Sequence, residues 1–232
     1  MRPSRKREVE LGPVDERLSA MISLGHLPEL TEGHSPRALR RAAMEEALMT
    51  DVVLCEGQLR RYFGADEADL SLFPSRAAPV QPVHGRDYRV SVRFFSLIED
   101  TLRKAPPTLG HFCGTGEMRL AYGARPAEWR IGKTADERLA ADPDAVYATP
   151  GGLKVAVEYD LGTYSGAKML GKIGEYFETY DAVMWGCPSE LRIRRLRARV
   201  VSSEALAHRQ KPFGGFTVEW WRGSPQLGLD GR

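Results

Sequence analysis

The sequence predicts a mixed α/β fold in which helices pack on a small mixed sheet, preceded by a separate helical module. Three observations carry this. Residues 154–160 form a valine-rich strand that turns back, through Thr149-Pro150-Gly151-Gly152, on a shorter strand at 144–149, which makes a hairpin. Residues 163–180 then place Met169, Leu170, Ile173, Tyr176, Phe177 and Tyr180 on one helical face. A further apolar strand at 181–187 follows directly, and this succession is that of a sheet with helices laid on it.

Upstream, Val14, Leu18, Met21 and Ile22 recur at helical spacing, Gly25 stops that helix, and a second short one is expected around Leu27 and Leu30. Ser35 before Pro36 opens another: the serine oxygen can accept from free amides, and the missing proline donor costs nothing in a first turn. That helix is expected over 36–49, and residues 50–63 fit either a wing or a further helix. The stretch 65–86 mixes acids, prolines and glycine without lasting periodicity. It reads as a linker between a helix-turn-helix-like module, 13–64, and a second domain, 87–222. In that domain Val90, Phe94, Phe95, Leu97, Ile98 and Leu102 form a stripe expected to be a buried helix, ended by Lys104 and Pro106-Pro107. After a glycine-rich connection, 115–122 reads as a short helix with Glu117 early in it. Pro188-Ser189 can open a last helix with Ile193, Leu196 and Val200 on one face, although Leu191 and Ile193 also alternate as in a strand. Residues 216–221 read as an edge strand, and 1–12 and 223–232 as flexible ends.

Of the 232 residues 42% are hydrophobic and 28% charged, which provides for a core and excludes a disordered class. No run approaches the about 18 apolar residues of a membrane helix, and the first residues lack the apolar stretch of a signal peptide, so a cytoplasmic protein is expected. Cys55, Cys113 and Cys187 are odd in number and far apart, which argues against a disulfide framework or a zinc knuckle. The 33 Lys and Arg against 31 Asp and Glu leave a formal charge of +2, too little to predict nucleic-acid binding from the net value. The clustering says more. Arg37, Arg40 and Arg41, then Arg60 and Arg61, then Arg192, Arg195 and Arg199 are candidate contacts to double-stranded DNA, the first group on the last of three helices ordered as in a helix-turn-helix. For any one cluster a solvated helix face is the bland alternative.

Alternation along 154–160 puts Glu158 and Asp160 on one face and Val155, Val157 and Tyr159 on the other. Two carboxylates on adjacent pleats repel unless a cation or solvent offsets them. Asp144, which begins the neighbouring strand, falls near Glu158 across the hairpin. Hard oxygen donors gathered in this way suit Mg²⁺ or Mn²⁺, and a metal-activated water attacking a phosphodiester is the implied chemistry. Lys172 borders the apolar stripe of its helix and is the cation best placed to reach the strand ends, while Lys168 lies away from that stripe. The plainer alternative is a set of surface acids where a strand emerges into solvent.

Pro143-Asp144-Ala145, then Val157-Glu158-Tyr159-Asp160-Leu161-Gly162-Thr163, then Lys172-Ile173 and Tyr176 resemble the C-terminal domain of the bacterial plasmid replication-relaxation family. Glu117-Met118-Arg119 resembles an upstream Glu-x-Arg segment of the same family. The resemblance spans residues 87–200. It implies a winged helix-turn-helix followed by a restriction-endonuclease-like PD-(D/E)xK fold, with Asp144 and Glu158 as metal ligands and Glu117 as a third. The motif's lysine, two residues after the second acid, is Asp160 here. Either Lys172 takes that role from the helix, or Asp160 is an added ligand, or the site binds DNA without cutting it.

The implied function is a Mg²⁺- or Mn²⁺-dependent endonuclease of plasmid or mobile-element replication and relaxation, with Glu117, Asp144, Glu158, Asp160 and Lys172 at its site. A homodimer is compatible with it. The alternative is a DNA-binding accessory factor of the same fold that recruits a replication or transfer partner, through Trp220 and Trp221 if these are exposed.

Overall fold

The computed structural model describes residues 35–132, 142–207, 209 and 211–227. The helices expected around 14–22 and 27–30, and the basic segment 1–12, lie outside the described residues. Ser35 caps α1 (Pro36–Asp51) by accepting from the Ala38 amide at 3.2 Å, and Pro36 occupies the first turn. Next come β1 (Leu54–Cys55), α2 (Glu56–Phe63), α3 (Glu67–Leu70), β2 (Ser75–Val80) and β3 (Arg89–Phe95). β3 pairs antiparallel with both β1 and β2, so the order across this first sheet is β1-β3-β2.

Two expectations fail here. The segment 65–86 is no linker, because it contains α3 and β2. Asp66 caps α3 by accepting from the Asp69 amide at 2.8 Å, and Ala78 and Val80 of β2 are buried in register with β3. The segment 90–102 is no helix. Val90, Val92 and Phe94 alternate toward one buried cluster and Phe95 toward another, a period of two that the β-branched valines favour; only Glu99–Arg103 turns, as a short 3-10 segment.

Pro106 and Pro107, which read as a stop, open α4 (Pro106–Tyr122), and the glycine-rich connection is part of this helix. The second sheet follows: β4 (Trp129–Ile131), β5 (Ala145–Ala148), β6 (Lys154–Tyr159), α5 (Gly166–Thr179), β7 (Ala182–Cys187), α6 (Glu190–Ser202), α7 (Glu204–Ala207) and β8 (Phe213–Thr217). Its order is β4-β5-β6-β7-β8, antiparallel as far as β6 and parallel from β6 to β8. The hairpin, long helix and third strand expected over 144–187 are all present. α6 is the helical alternative, with Ile193, Leu196 and Val200 buried. The last strand of this sheet ends before the tryptophans: Trp220 and Trp221 are 1% and 7% exposed and belong to the core, so they offer no exposed interface. The tail is ordered in its described part, since β9 (Gln226–Leu227) pairs with β3 and the Ser91 amide donates to the Pro225 carbonyl at 2.9 Å.

The protein is thus a mixed α/β fold with two small sheets, and α4 packs against both. One buried cluster joins Val92 and Phe94 of β3, Leu109 and Cys113 of α4, Val157 and Tyr159 of β6, and Trp220. On the other face of the second sheet, Ala156, Val183 and Trp185 pack under Met169, Ile173 and Phe177 of α5 and Leu196 of α6. A Cβ on Gly114 would sit 2.1 Å from the Tyr159 ring, so glycine at this position lets α4 approach β6 closely. That approach brings His111, one turn earlier on α4, to Asp144 at the start of β5. Cys55, Cys113 and Cys187 are free thiols, and no helix among the described residues is long and apolar enough to cross a membrane.

Candidate functional site

The hairpin register pairs Ala145 with Val157, and its continuation by one residue sets Asp144 beside Glu158. Asp144 Oδ2 accepts from the Tyr159 amide at 2.6 Å, and His111 Nε2 lies 2.9 Å from Asp144 Oδ1. Glu158 is held from α5: Lys172 Nζ donates to Oε1 at 2.5 Å and the Tyr176 hydroxyl to Oε2 at 2.6 Å. Residues 172 and 176 are one helical turn apart, so a single face of α5 supplies both donors.

Asp144 and Glu158 are 1% and 0% exposed, and Asp160 is 1% exposed, which overturns the reading of these acids as surface residues. Burial pushes the Glu158 carboxyl above its ordinary pKa, the nearby Asp144 carboxylate pushes the same way, and Lys172 and Tyr176 pull it partly back. For Lys172, burial opposes the charge, but Glu158 more than offsets this and its pKa is raised. Two buried acids thus share a small space with the Lys172 ammonium and the His111 imidazole. The paired carboxylate oxygens fit Mg²⁺ or Mn²⁺ in donor chemistry. Among the described residues no group of three or more His, Cys, Asp or Glu side chains is arranged to hold a metal, so waters and substrate oxygens would complete any ion's shell.

The other two predicted acids are engaged elsewhere. Glu117 lies six residues beyond His111, on another side of α4, where it accepts from Arg61 Nη2 at 2.8 Å, Gln58 Nε2 at 2.9 Å and the Tyr62 hydroxyl at 3.0 Å. It joins α4 to α2. Asp160 faces the same side of the sheet as Glu158 but closes the turn after β6. Its Oδ1 accepts from the Gly162 amide at 2.8 Å and the Thr163 amide at 3.1 Å, and its Oδ2 from Arg192 Nε at 2.9 Å and Nη2 at 2.6 Å. Asp160 is satisfied by turn amides and a guanidinium, and this explains an acid at the position where the resemblance calls for lysine. Asp160→Lys is expected to cost about 2 kcal/mol or more by leaving Arg192 and the turn amides without their acceptor. Thermal melting checks the loss, and a plasmid-nicking assay is expected to show no gain in activity.

Most of the predicted DNA-contacting arginines hold carboxylates of their own chain. Arg37 and Arg40 bond Asp69 at 3.2 and 2.7 Å, Arg41 bonds Glu45 at 2.8 Å, Arg60 bonds Glu56 at 2.7 Å, and Arg61 and Arg192 are bonded as described above. Arg195 and Arg199 are exposed on α6, with no carboxylate of the described residues within ion-pair distance. Arg199 lies against Gly166, at the start of α5.

Sequence reasoning missed His111 and Tyr164. Nothing local marks His111, because its place beside Asp144 depends on how closely α4 approaches β6. Tyr164 sits between the turn and α5, and its spacing of four from Lys168 was the available signal.

The fold and the site together define a two-sheet α/β protein with a buried Asp–Glu pair and a lysine at the open end of a hairpin. No family model, no characterised protein and no solved structure matches the chain.

Proposed function

We propose that this is a DNA-binding protein whose second sheet carries a divalent-metal site for phosphodiester hydrolysis, an endonuclease of the replication and relaxation type that the sequence resemblance implies. The observation that carries the reading is the buried pair Asp144 and Glu158, set side by side by the hairpin, with Lys172 Nζ 2.5 Å from Glu158. The order α4, β4, β5, β6, α5, β7, with one acid at the start of the second strand and the other near the end of the third, supports a restriction-endonuclease-like core. The order α1, β1, α2, α3, β2, β3, with sheet order β1-β3-β2, supports a winged-helix unit, displaced from 13–64 to 36–95.

Asp144 and Glu158 would hold Mg²⁺ or Mn²⁺. When bound, such an ion supplies an activated water and polarises a phosphoryl oxygen. The Tyr159 amide and Tyr176 hydroxyl orient the two carboxylates, and Lys172 places a positive charge where negative charge grows on the phosphate. Of the predicted arginines, Arg195 and Arg199, which meet no carboxylate among the described residues, would contact a DNA backbone, which positions the protein without reading sequence. A second reading, binding without hydrolysis, is favoured by one observation: Asp160 occupies the motif's lysine position and is tied to Arg192.

The test is Mn²⁺ calorimetry followed by plasmid nicking, on the wild type and on Asp144→Asn. Wild-type uptake of Mn²⁺ with nicking, both reduced more than about 100-fold in the variant, is the expected result. Binding of DNA with neither metal uptake nor nicking would replace the endonuclease reading by the second one.

A further inference from the structure

Tyr164, Lys168, Lys172 and Tyr176 follow one another at intervals of four, along α5 and the turn that leads into it, and so form one ridge beside Glu158. The two lysines are not equivalent. Lys172 is nearly buried and its charge is committed to Glu158. Lys168 is exposed, and its Nζ lies 4.4 Å from the centroid of the Tyr164 ring, with no carboxylate of the described residues within ion-pair distance. Lys172 Nζ is 5.1 Å from the same centroid. One aromatic ring therefore carries both ammoniums, one facing the buried acids and the other facing solvent.

The ring is firmly placed. Its edge meets Trp185 with centroids 6.2 Å apart, the Tyr164 carbonyl accepts from Arg192 Nη2, and Asp160 holds the turn that precedes it. Arg199 of α6, whose guanidinium lies against Gly166 in the first turn of α5, adds a second charge there that meets no carboxylate among the described residues.

We propose that Lys168 is a second phosphate-binding cation, which holds the backbone phosphate next to the one at Glu158 and Lys172, with Tyr164 as the fixed spacer between the two ammoniums. This rests on the reading of the site as one for phosphodiesters. Lys168 is a positioning residue: it anchors the strand beside the reacting group and leaves the chemistry to the buried acids and Lys172. A polyanionic backbone is the partner that presents successive negative charges to two cations on one ridge.

The experiment uses the full chain and a short fluorescein-labelled DNA duplex of mixed sequence. Binding is followed by anisotropy against KCl in EDTA, and cleavage of the same duplex is followed with Mn²⁺. Lys168→Ala is expected to reduce the slope of log affinity against log salt by about one. It is also expected to raise KM roughly fivefold, with a smaller change in kcat. Lys168→Arg is expected to recover both, and Tyr164→Leu to weaken binding while the melting temperature of each variant reports that the fold is intact. An unchanged slope and KM in Lys168→Ala, in a protein that binds and cuts the duplex, overturns the role of Lys168 and leaves the nuclease reading standing. A slope that depends on Lys168 in a protein that never cuts keeps the phosphate contact and removes the hydrolytic reading. Absence of any duplex binding by the wild type overturns both.

Discussion

Arg119→Met is expected to destabilise the fold by about 3–5 kcal/mol, because it strips the partner from a buried carboxylate. Arg119, on α4, donates through Nε and Nη2 to Asp51 at the end of α1, at 2.8 and 2.6 Å, with side chains 5% and 0% exposed. Burial already pushes the Asp51 carboxyl above its ordinary pKa, and Arg119 pulls against that shift. The sign of the pH dependence follows. A carboxyl whose folded pKa is raised binds a proton more readily in the folded state, so its contribution to stability is greatest in acid and falls as pH rises through the folded pKa. Without Arg119 that pKa moves higher still, so the loss should be smaller in mildly acidic buffer than at neutral pH. Urea melts at the two conditions measure it. Asp51→Leu with Arg119→Met removes both charges and is expected to recover much of the loss, since a buried ion pair often contributes little over an apolar pair of similar size. A single variant as stable as wild type would mean that water reaches Asp51 and the pair is not dry.

The same pair shows why only half of the architecture could be read from the chain. Where one segment makes its own structure, the pattern was legible. Ser35-Pro36 caps α1, the valines and the Thr149–Gly152 turn form β5 and β6, and the stripe from Met169 to Phe177 lies on α5. Where tertiary contacts decide, it was not. The residues from Val90 to Leu102 satisfy a helical period, but Val92 also satisfies a strand period, and pairing with β1 and β2 selects the strand. The glycines at 110, 114 and 116 look like a connection until Trp220, Tyr159 and Asp51 pack against them, and then they are the positions at which a helix can be approached closely.

The candidate site divides in the same way. Asp144, Glu158 and Lys172 could be brought together from strand register and helical spacing, both of which are local rules. Glu117 and Asp160 could not be separated from them, because what removes them is a partner from elsewhere: Arg61 on α2 for the first and Arg192 on α6 for the second. The arginines misled for a related reason. A cluster of like charge in sequence does not display the carboxylates that fold onto it, and Asp69 takes both Arg37 and Arg40.

Lys172→Met is expected to lower the nicking rate by about 10²–10³-fold while Mn²⁺ uptake persists. The two effects separate because Lys172 is a cation beside the acids and not one of the oxygen donors. On the proposed reading, removing it takes away a charge that would stabilise the growing negative charge on phosphate, and it also takes away the ammonium that holds Glu158. Glu158 keeps the Tyr176 hydroxyl at 2.6 Å, so the carboxylate stays oriented. Without metal the variant buries two acids with no ammonium and should melt earlier than wild type; added Mn²⁺ should return most of that difference, because a ligand bound only by the folded state stabilises it. Glu158→Gln should behave in the opposite way, with the fold largely kept and both metal uptake and nicking lost. A Lys172→Met protein that nicks at the wild-type rate would mean that the lysine serves only to neutralise Glu158, and the charge at the scissile phosphate would then have to come from another group, such as Lys168 on the same ridge, which meets no carboxylate among the described residues.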